Sequence, residues 1–281
     1  MDPKCLFCFS RAFEKLLAQH VTEKNEQYKM ARKFFGFLSR IDTEQPTPII
    51  AREIHAMIRN YLNEPDPYKQ QKEQSNKQAA ALIESLKGKL NASDDPVGLS
   101  LRYAIAGNII DYGPGHNFDI EQTISHLEEA ELGIDHSVEL IEKINGADKI
   151  LYLGDNAGEI VFDKLFLETI NHPNVTFVTR GAPVINDVTF EEAEEVDMHQ
   201  VAKVIDNGYD APSTVLEKSN KAFFDEYQSA DLIIAKGQGN FEGLMYEDDP
   251  RLWFLLMVKC DVIGSFLGMK KGDIVVSNNH K

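Results

Sequence analysis

Apolar residues in the first half of the chain recur three or four positions apart, which is helical spacing. This pattern predicts helices almost throughout residues 1–146. A helix after residue 49 is expected to end before Pro65, because proline disfavours helical backbone around it. Pro96 is expected to open another helix. Two more helices are predicted, at about residues 119–130 and 134–145.

After residue 146 the pattern changes to short apolar runs separated by helical stretches. Such runs predict buried strands of a mostly parallel sheet with helices on both faces. Thr189 to Glu192 has the pattern of a capping box, and residues 214–228 predict another helix. The chain is therefore expected to be an α/β protein, with a helical domain over residues 1–115 and an α/β core over residues 116–281. The predicted strands cover residues 150–153, 175–179, 203–206, 231–235, 254–259 and 273–277.

The amino-acid composition limits the kinds of molecule that the protein is expected to bind. The 281 residues carry a formal net charge of −16, which argues against nucleic acid and anionic membrane surfaces but permits a local basic pocket. No apolar run is long enough to span a bilayer, and the start of the chain lacks the apolar core of a signal peptide. Three cysteines do not make a disulfide framework. We expect a cytoplasmic protein; its oligomeric state is not predicted.

Polar residues follow the first predicted strand. Asp155 and Asn156 form a small-residue turn between this strand and a helix that begins near Glu159. Ligands of open α/β sheets bind at the carboxyl ends of strands, and these oxygen-bearing side chains suit a divalent cation. The start of the helix favours an anion such as phosphate. The alternative is an Asx turn that only caps the helix.

Two later loops carry similar residues. Asp187 follows the second strand of the core, and its loop could reach Asp155; a second Asx turn is the alternative. Lys236 ends a strand beside glycines, where a lysine can bind phosphate, although a surface lysine before a glycine turn is common. Asn108 and Asp111 lie one helical turn apart on one face of a predicted helix. They are interpreted either as a substrate contact or as a polar face that leads into a loop.

Cys5 and Cys8 form a single CxxC pair near the start of the chain. A structural zinc site needs four ligands, and no spacing in the sequence supplies the other two. The pair is interpreted either as two thiols that face the core at the start of a helix, or as a second metal or redox site.

Five segments, taken in order, resemble the damage-control phosphatase family, formerly domain of unknown function 89. The CxxC pair is similar to its mainly prokaryotic branch. The resemblance covers nearly the whole chain and implies a helical N-terminal portion on a Rossmann-like, three-layer α/β/α core. It also implies divalent-metal-dependent hydrolysis of phosphate monoesters, including sugar phosphates and damaged phosphometabolites. The segments are CLFC, AGNIIDYG, LGDNAGE, RGAPVINDVT and AKGQGNFEGL.

The resemblance also implies roles for individual residues. The family's metal ligands match Asp155, Asn156 and Asp187, for which Mg, Mn, Co or Ni are the candidate ions. The family's Lys-Gly segment before an asparagine matches Lys236, Gly237 and Asn240, and its Gly-Asn segment matches Gly107 and Asn108, with Asp111 one turn on. This chain has Gln238-Gly239 where the eukaryotic branch has Asp-Leu, so the sugar-phosphate preference of that branch does not transfer.

Phosphoryl transfer needs positioning and charge neutralisation, and these residues can supply both. Glu159 would orient a water or a ligand, or only complement the helix dipole. Asp155 is also a candidate nucleophile, as an alternative to attack by water. Two other functions compete with the phosphatase: a methyltransferase that uses S-adenosylmethionine, suggested by the small-residue turn after a strand, and a non-catalytic protein that binds a metal or a phosphometabolite.

Overall fold

The computed structural model describes residues 1–109, 128 and 130–279, without the side chains of residues 108 and 109. The chain divides into two compact units, Met1–Pro67 and Tyr68–Lys281. None of the described helices combines the length and the apolar character that a bilayer crossing needs.

The first unit consists of helices whose apolar faces pack together. They are α1 (Lys4–His20), α2 (Lys24–Leu38) and α3 (Thr47–Leu62). The ring of Phe13 on α1 stacks on that of Phe34 on α2, with centroids 4.1 Å apart. Asn63 ends α3 in a left-handed conformation, which asparagine tolerates better than most residues. The predicted end of this helix before Pro65 is therefore confirmed.

The second unit begins with helices that precede the sheet. They are α4 (Lys69–Ala80), α5 (Ile83–Ala92) and α6 (Pro96–Ile109). Helix α6 begins at Pro96 as predicted, because proline lacks only an N–H that would be unsatisfied in the first turn. Tyr103 to Ala106 of this helix are buried in the hydrophobic core on one face of the sheet.

Strands and helices alternate through the rest of this unit. In chain order the elements are β1 (Ile134–Asp135), α7 (Ser137–Gly146), β2 (Ile150–Leu153), α8 (Glu159–Ile170), β3 (Val175–Thr179), α9 (Phe190–Glu195), β4 (Lys203–Asp206), α10 (Lys221–Ser229), β5 (Leu232–Lys236), α11 (Gly237–Leu244), β6 (Leu252–Met257), α12 (Asp261–Leu267) and β7 (Ile274–Asn278), with short 3₁₀ turns at Met198–Gln200 and Leu216–Lys218.

Within the described part of the chain, seven strands form one sheet in the order β1-β7-β6-β5-β2-β3-β4. All neighbours are parallel except β6 and β7. Alternate residues of β2 enter separate hydrophobic clusters on the two faces, Ile150 and Tyr152 on one and Leu151 and Leu153 on the other. The predicted α/β/α core with a mostly parallel sheet is confirmed.

The order of the strands creates a switch point between β2 and β5. From β2 the chain winds outward through β3 to β4, and it then returns to the other side of β2 as β5. Crevices at such reversals, outside the carboxyl ends of the strands, are where open α/β sheets bind ligands. Asp155 and Lys236 lie at the ends of these two strands.

Some element predictions are wrong in detail. Residues 134 and 135, predicted as helix, form β1, because this short segment pairs with β7 before α7 starts. Strand β6 ends at Met257 rather than at residue 259. The predicted helix over residues 214–228 is a 3₁₀ turn followed by α10. Helix α11 was not predicted, because Gly237 and Gly239 at its start resemble a turn in the sequence.

The predicted domain boundary between residues 115 and 116 lies outside the described residues and remains a prediction. The compact units divide instead at Pro67. Helices α4 to α6 belong to the second unit, since Ala79, Leu86 and Leu101 share a hydrophobic core with β2 and α8.

Candidate active site

Asp155 and Asp187 meet at the carboxyl end of β2. The backbone at Asn156 forms an isolated antiparallel bridge with Asp187. On either side of this bridge, the N–H of Ala157 donates to Asn186 O and that of Val188 donates to Asp155 O, both at 2.9 Å. The expectation that the second loop reaches Asp155 is confirmed. Both carboxylates are almost completely buried, with 5% of Asp155 and 3% of Asp187 exposed.

The guanidinium of Arg180 joins these two carboxylates. Its Nε donates to Asp187 Oδ2 at 2.7 Å, and its Nη2 donates to Asp155 Oδ1 at 3.2 Å. Its Nη1 donates to Asn240 Oδ1 at 3.0 Å. Arg180 itself is 1% exposed. A single buried cation therefore lies between two buried carboxylates.

Burial makes ionisation of these carboxylates costly. It raises the pKa of Asp187 to about 7, although the charge of Arg180 acts in the opposite direction. Burial and the nearby Glu159 carboxylate also raise the pKa of Asp155, against the effect of Arg180, Lys259 and Lys236. The site therefore gains from additional positive charge beside the two carboxylates.

Asn156 faces the same cluster. Its Nδ2 donates to Asp155 Oδ2 at 2.7 Å and to Glu159 Oε2 at 3.1 Å. A flip of the amide exchanges Oδ1 for Nδ2, so the side chain can present an oxygen to a cation in the same place.

Lys236 is completely buried in a network of carboxylates. Its Nζ donates to Glu159 Oε1 at 2.7 Å, to Asp163 Oδ1 at 2.6 Å and to Ala104 O at 2.8 Å. These bonds use all three ammonium protons. Burial alone would lower the pKa of Lys236, but the two carboxylates raise it above its usual value. Its predicted contact with phosphate remains a prediction, and this arrangement has no proton left for it.

Glu159 connects this network to the Asp155 cluster. It is fully buried and accepts hydrogen bonds from Lys236 and from Asn156. Tyr152 on β2 also belongs to this network, since its hydroxyl donates to Asp163 Oδ1 at 2.7 Å. The glutamate thus contacts protein groups on both sides, and its two oxygens hold Lys236 and Asn156 in fixed positions.

Asn240 ties several loops together. Its Nδ2 donates to Lys236 O at 2.7 Å and to Gly154 O at 3.0 Å. Its Oδ1 accepts from the N–H of Thr214 at 2.8 Å as well as from Arg180. The side chain, which was predicted to bind substrate, is completely buried in these bonds. In this structure it positions the ends of β2 and β5.

Gly237 and Gly239 let α11 begin close to this cluster. Gly237 has a φ of 77°, a left-handed conformation that glycine adopts without strain. A Cβ on Gly239 would lie 2.4 Å from Pro212 O and 3.7 Å from Asp155 Oδ1. The first turn of α11 is therefore adjacent to the Asp155 carboxylate.

The predicted pair Asn108 and Asp111 is only partly placed. Asn108 lies in the last turn of α6, with its side chain outside the described atoms, and Asp111 lies outside the described residues. A Cβ on Gly107 would lie 2.9 Å from the Phe162 ring and 3.0 Å from Glu159 Cα. The backbone that carries Asn108 therefore lies directly against the start of α8.

The start of α8 is occupied by another side chain. The N–H of Gly158 donates to Asn76 Oδ1 at 2.6 Å, and Asn76 Nδ2 donates to Glu195 Oε2 at 2.7 Å. Phosphate binding at this helix start remains a prediction, and a neutral amide on α4 already accepts one of its N–H groups, that of Gly158.

Sequence reasoning missed Lys259, which follows β6 and is exposed. Its positive charge lowers the pKa of both Asp155 and Asp187. Within the described part of the chain, no hydrogen bond or ion pair engages its ammonium group. The signal was a lysine at a strand end, but the predicted strand over residues 254–259 placed it inside the sheet.

The cysteine pair lies in the first unit. Cys5 is half-buried and Cys8 is exposed in α1, so the interpretation that both thiols face a core is wrong for Cys8. Over residues 1–109, 128 and 130–279, no three His, Cys, Asp or Glu side chains are grouped to hold a metal. A metal or redox role for this pair remains a prediction.

A doubly wound α/β sheet with buried carboxylates at its switch point defines a class of proteins that bind small ligands at the sheet edge. The family model of the damage-control phosphatase ARMT1-like domain matches residues 1–275. The chain belongs to this family, and the resemblance drawn from its five segments is confirmed.

Archaeal proteins are similar over almost the whole chain. An uncharacterized protein of Methanocaldococcus jannaschii is 33% identical, over 98% of this chain and 94% of its own. A protein of Pyrococcus horikoshii named damage-control phosphatase is 30% identical, over 98% and 97%. One of Archaeoglobus fulgidus with the same name is 32% identical over 80% of each chain.

A solved structure has the same fold. The crystal structure of a DUF89 family protein from Pyrococcus horikoshii superposes with a TM-score of 0.92 and 29% identity, over 99% of both chains. Family membership implies a divalent metal, and the residues present fit one. Two buried carboxylates and an adjacent amide supply hard ligands, and burial raises the pKa of Asp187 to about 7.

Proposed function

We propose that the protein is a divalent-metal-dependent phosphatase that hydrolyses phosphate monoesters of small metabolites, either sugar phosphates or damaged phosphometabolites. The observation that carries the proposal is the meeting of Asp155, Asn156 and Asp187 at the switch point of the sheet. The names of the Pyrococcus and Archaeoglobus relatives support a phosphatase.

Asp155, Asn156 and Asp187 would hold the metal ion. When bound, a dication supplies a Lewis acid and a polarised water at neutral pH. Oxygen ligands favour Mg or Mn, and Co or Ni are alternatives. The buried ion pairs to Arg180 keep the two carboxylates in place for this purpose.

Two features supply positive potential for a phosphate group. Lys259 is exposed without a described partner for its ammonium, and its charge lowers the pKa of Asp155 and Asp187. The first turn of α11 begins next to Asp155, and the amino terminus of a helix favours anions. A phosphate ester placed between them would lie against the proposed metal ligands, with its leaving group toward solvent.

Lys236 and Glu159 support the proposed metal ligands without binding the metal themselves. Lys236 neutralises Glu159 and Asp163, and Glu159 in turn accepts a hydrogen bond from Asn156. The effect is to fix the orientation of the Asn156 amide. We therefore assign Lys236 to positioning and Lys259 to the phosphate.

The test is hydrolysis of a panel of phosphometabolites after exhaustive chelation, followed by addition of Mg²⁺, Mn²⁺, Co²⁺ or Ni²⁺. Turnover is expected only after a metal is restored. Full activity in the chelated protein, with no metal found by elemental analysis, contradicts the proposal. Calorimetric titration with S-adenosylmethionine is the control for the methyltransferase alternative, and no binding is expected.

A further inference from the structure

Arg180 lies among the proposed metal ligands without being one of them. It is a permanently charged side chain with 1% exposure, and its three kinds of nitrogen each donate to a different side chain of the site. Its backbone N–H also donates to Val188 O at 2.9 Å, next to Asp187. The end of β3 and the loop that carries Asp187 are therefore held together by backbone and side chain alike.

Arg180 carries less charge than the two carboxylates that it contacts. One guanidinium faces two carboxylates, so the trio of Arg180, Asp155 and Asp187 carries a net negative charge when both acids are ionised. A buried charge without a counter-charge is strongly unfavourable. Removing one partner of a buried ion pair therefore destabilises the protein, because the other partner stays buried and charged. The arrangement thus tolerates the two acids without a metal, yet still attracts a dication.

Resting on the proposed function, we infer that Arg180 is the resident counter-cation of the metal site, a positioning residue that keeps Asp155, Asp187 and Asn240 assembled before a metal binds and that limits how tightly the metal is held. A metal ion that shares two carboxylates with a fixed guanidinium is repelled by it. The site is therefore preformed but binds the metal more weakly than it would without Arg180. A metal ion can then bind without a rearrangement of the loops that carry Asp155 and Asp187.

The test compares Arg180→Gln with the parent protein, without metal and with Mn²⁺. Without metal, the variant should lose about 10 °C in Tm, because two buried carboxylates lose their counter-charge. Mn²⁺ should raise the Tm of the variant more than that of the parent. Calorimetric titration should show Mn²⁺ bound roughly tenfold more tightly by the variant, since the competing cation is gone.

Two further variants serve as controls. Arg180→Lys keeps the charge, so it should recover at least half of the lost Tm and bind Mn²⁺ with nearly the affinity of the parent. Arg251→Gln removes a guanidinium that pairs with Asp249 at 2.7 Å. Since that pair is not among the proposed metal ligands, its loss of Tm should be the same with and without Mn²⁺.

An unchanged metal-free Tm in Arg180→Gln, or weaker Mn²⁺ binding, overturns the inference. If this variant is insoluble under all conditions, the double variant Arg180→Gln/Asp187→Asn decides, because it removes an acid together with its counter-charge. It should fold, and its failure to fold would also overturn the inference. If the parent binds no Mn²⁺ while the metal-free Tm still falls, the metal proposal fails and the counter-cation role stands.

Discussion

Lys236 ends β5 and Lys259 follows the neighbouring strand β6, and the surroundings of the two lysines are opposite. Lys236 is completely buried, and its ammonium donates to Glu159, Asp163 and a backbone carbonyl. Lys259 is exposed, its charge lowers the pKa of Asp155 and Asp187, and no described group bonds its ammonium. A lysine at a strand end is thus a candidate phosphate ligand, but its burial and its partners decide whether it binds a ligand or stabilises the site.

The largest expected effect is on the stability of a Lys236→Met variant. The change leaves Glu159 and Asp163 buried without their cation, which costs about 3–5 kcal/mol in the free energy of unfolding. Urea unfolding at pH 7.5 measures this loss. A loss below about 1 kcal/mol would show that the network is not essential to the fold and would reopen phosphate binding by Lys236.

Lys259→Met should do the reverse. Turnover of a phosphate ester should fall roughly a hundredfold, the scale for losing one charge that stabilises developing negative charge. The free energy of unfolding should change by less than about 0.5 kcal/mol, as for other exposed positions. Lys143→Met, at an exposed position on α7, is the matched control and should be fully active. Parental turnover in Lys259→Met would remove this lysine from the site.

The pH dependence of stability should identify the carboxyl group that Lys236 neutralises. Burial already raises the pKa of Asp163 to about 7, and loss of Lys236 raises it more. In the folded Lys236→Met variant, the Asp163 carboxyl therefore stays protonated at pH values at which it is ionised in the unfolded chain. The stability of the variant falls as the pH rises through this range. The free energy of unfolding that the variant loses relative to the parent should be smaller at pH 5.5 than at pH 8.5. This loss should change by at most about 1.4 kcal/mol per pH unit.

Urea unfolding of both proteins at several pH values checks this prediction. Lys143→Met serves as the control, because this exposed lysine on α7 does not shift the pKa of Asp155, Asp163 or Asp187, and its small deficit should not vary with pH. A deficit of Lys236→Met that grows toward low pH would mean that the Asp163 carboxyl is not the group left unpaired.

The smallest effect is expected from the cysteine pair. Replacing Cys5 and Cys8 with serine should leave phosphate-ester turnover within roughly tenfold of the parent, because α1 carries none of the residues assigned to the chemistry. Steady-state kinetics of the folded double variant test this. Complete loss of activity would show that the first unit contributes directly to the reaction.

The sequence predicted the sheet and the strand-end acids because both follow from local patterns. Short apolar runs identify buried strands, and Asp155 and Asp187 lie in the loops that follow two of them. That the two acids meet depends only on β2 and β3 being neighbours, which short connections make common.

The environment of Lys236 could not be predicted in the same way. Its partners Glu159 and Asp163 lie 77 and 73 residues away. In the sequence Glu159 was a candidate to orient a ligand rather than to pair with Lys236, and Asp163 resembles an ordinary polar position of α8. Asn76 was missed for the same reason, since α4 is polar and its buried face is defined by contacts with Gly158 and Glu195. Buried polar networks depend on tertiary contacts that hydrophobic periodicity does not report.

The most direct test of the account is turnover as a function of Mn²⁺ concentration for the parent, Asp187→Ala and Lys259→Met. Asp187→Ala should need at least about a hundredfold more Mn²⁺ and should recover part of its rate at high concentration, since it lacks a metal ligand. Lys259→Met should show a lower maximum at the parental Mn²⁺ midpoint. An unshifted midpoint in Asp187→Ala, or rescue of Lys259→Met by Mn²⁺, would contradict the division between metal and phosphate groups proposed for this site.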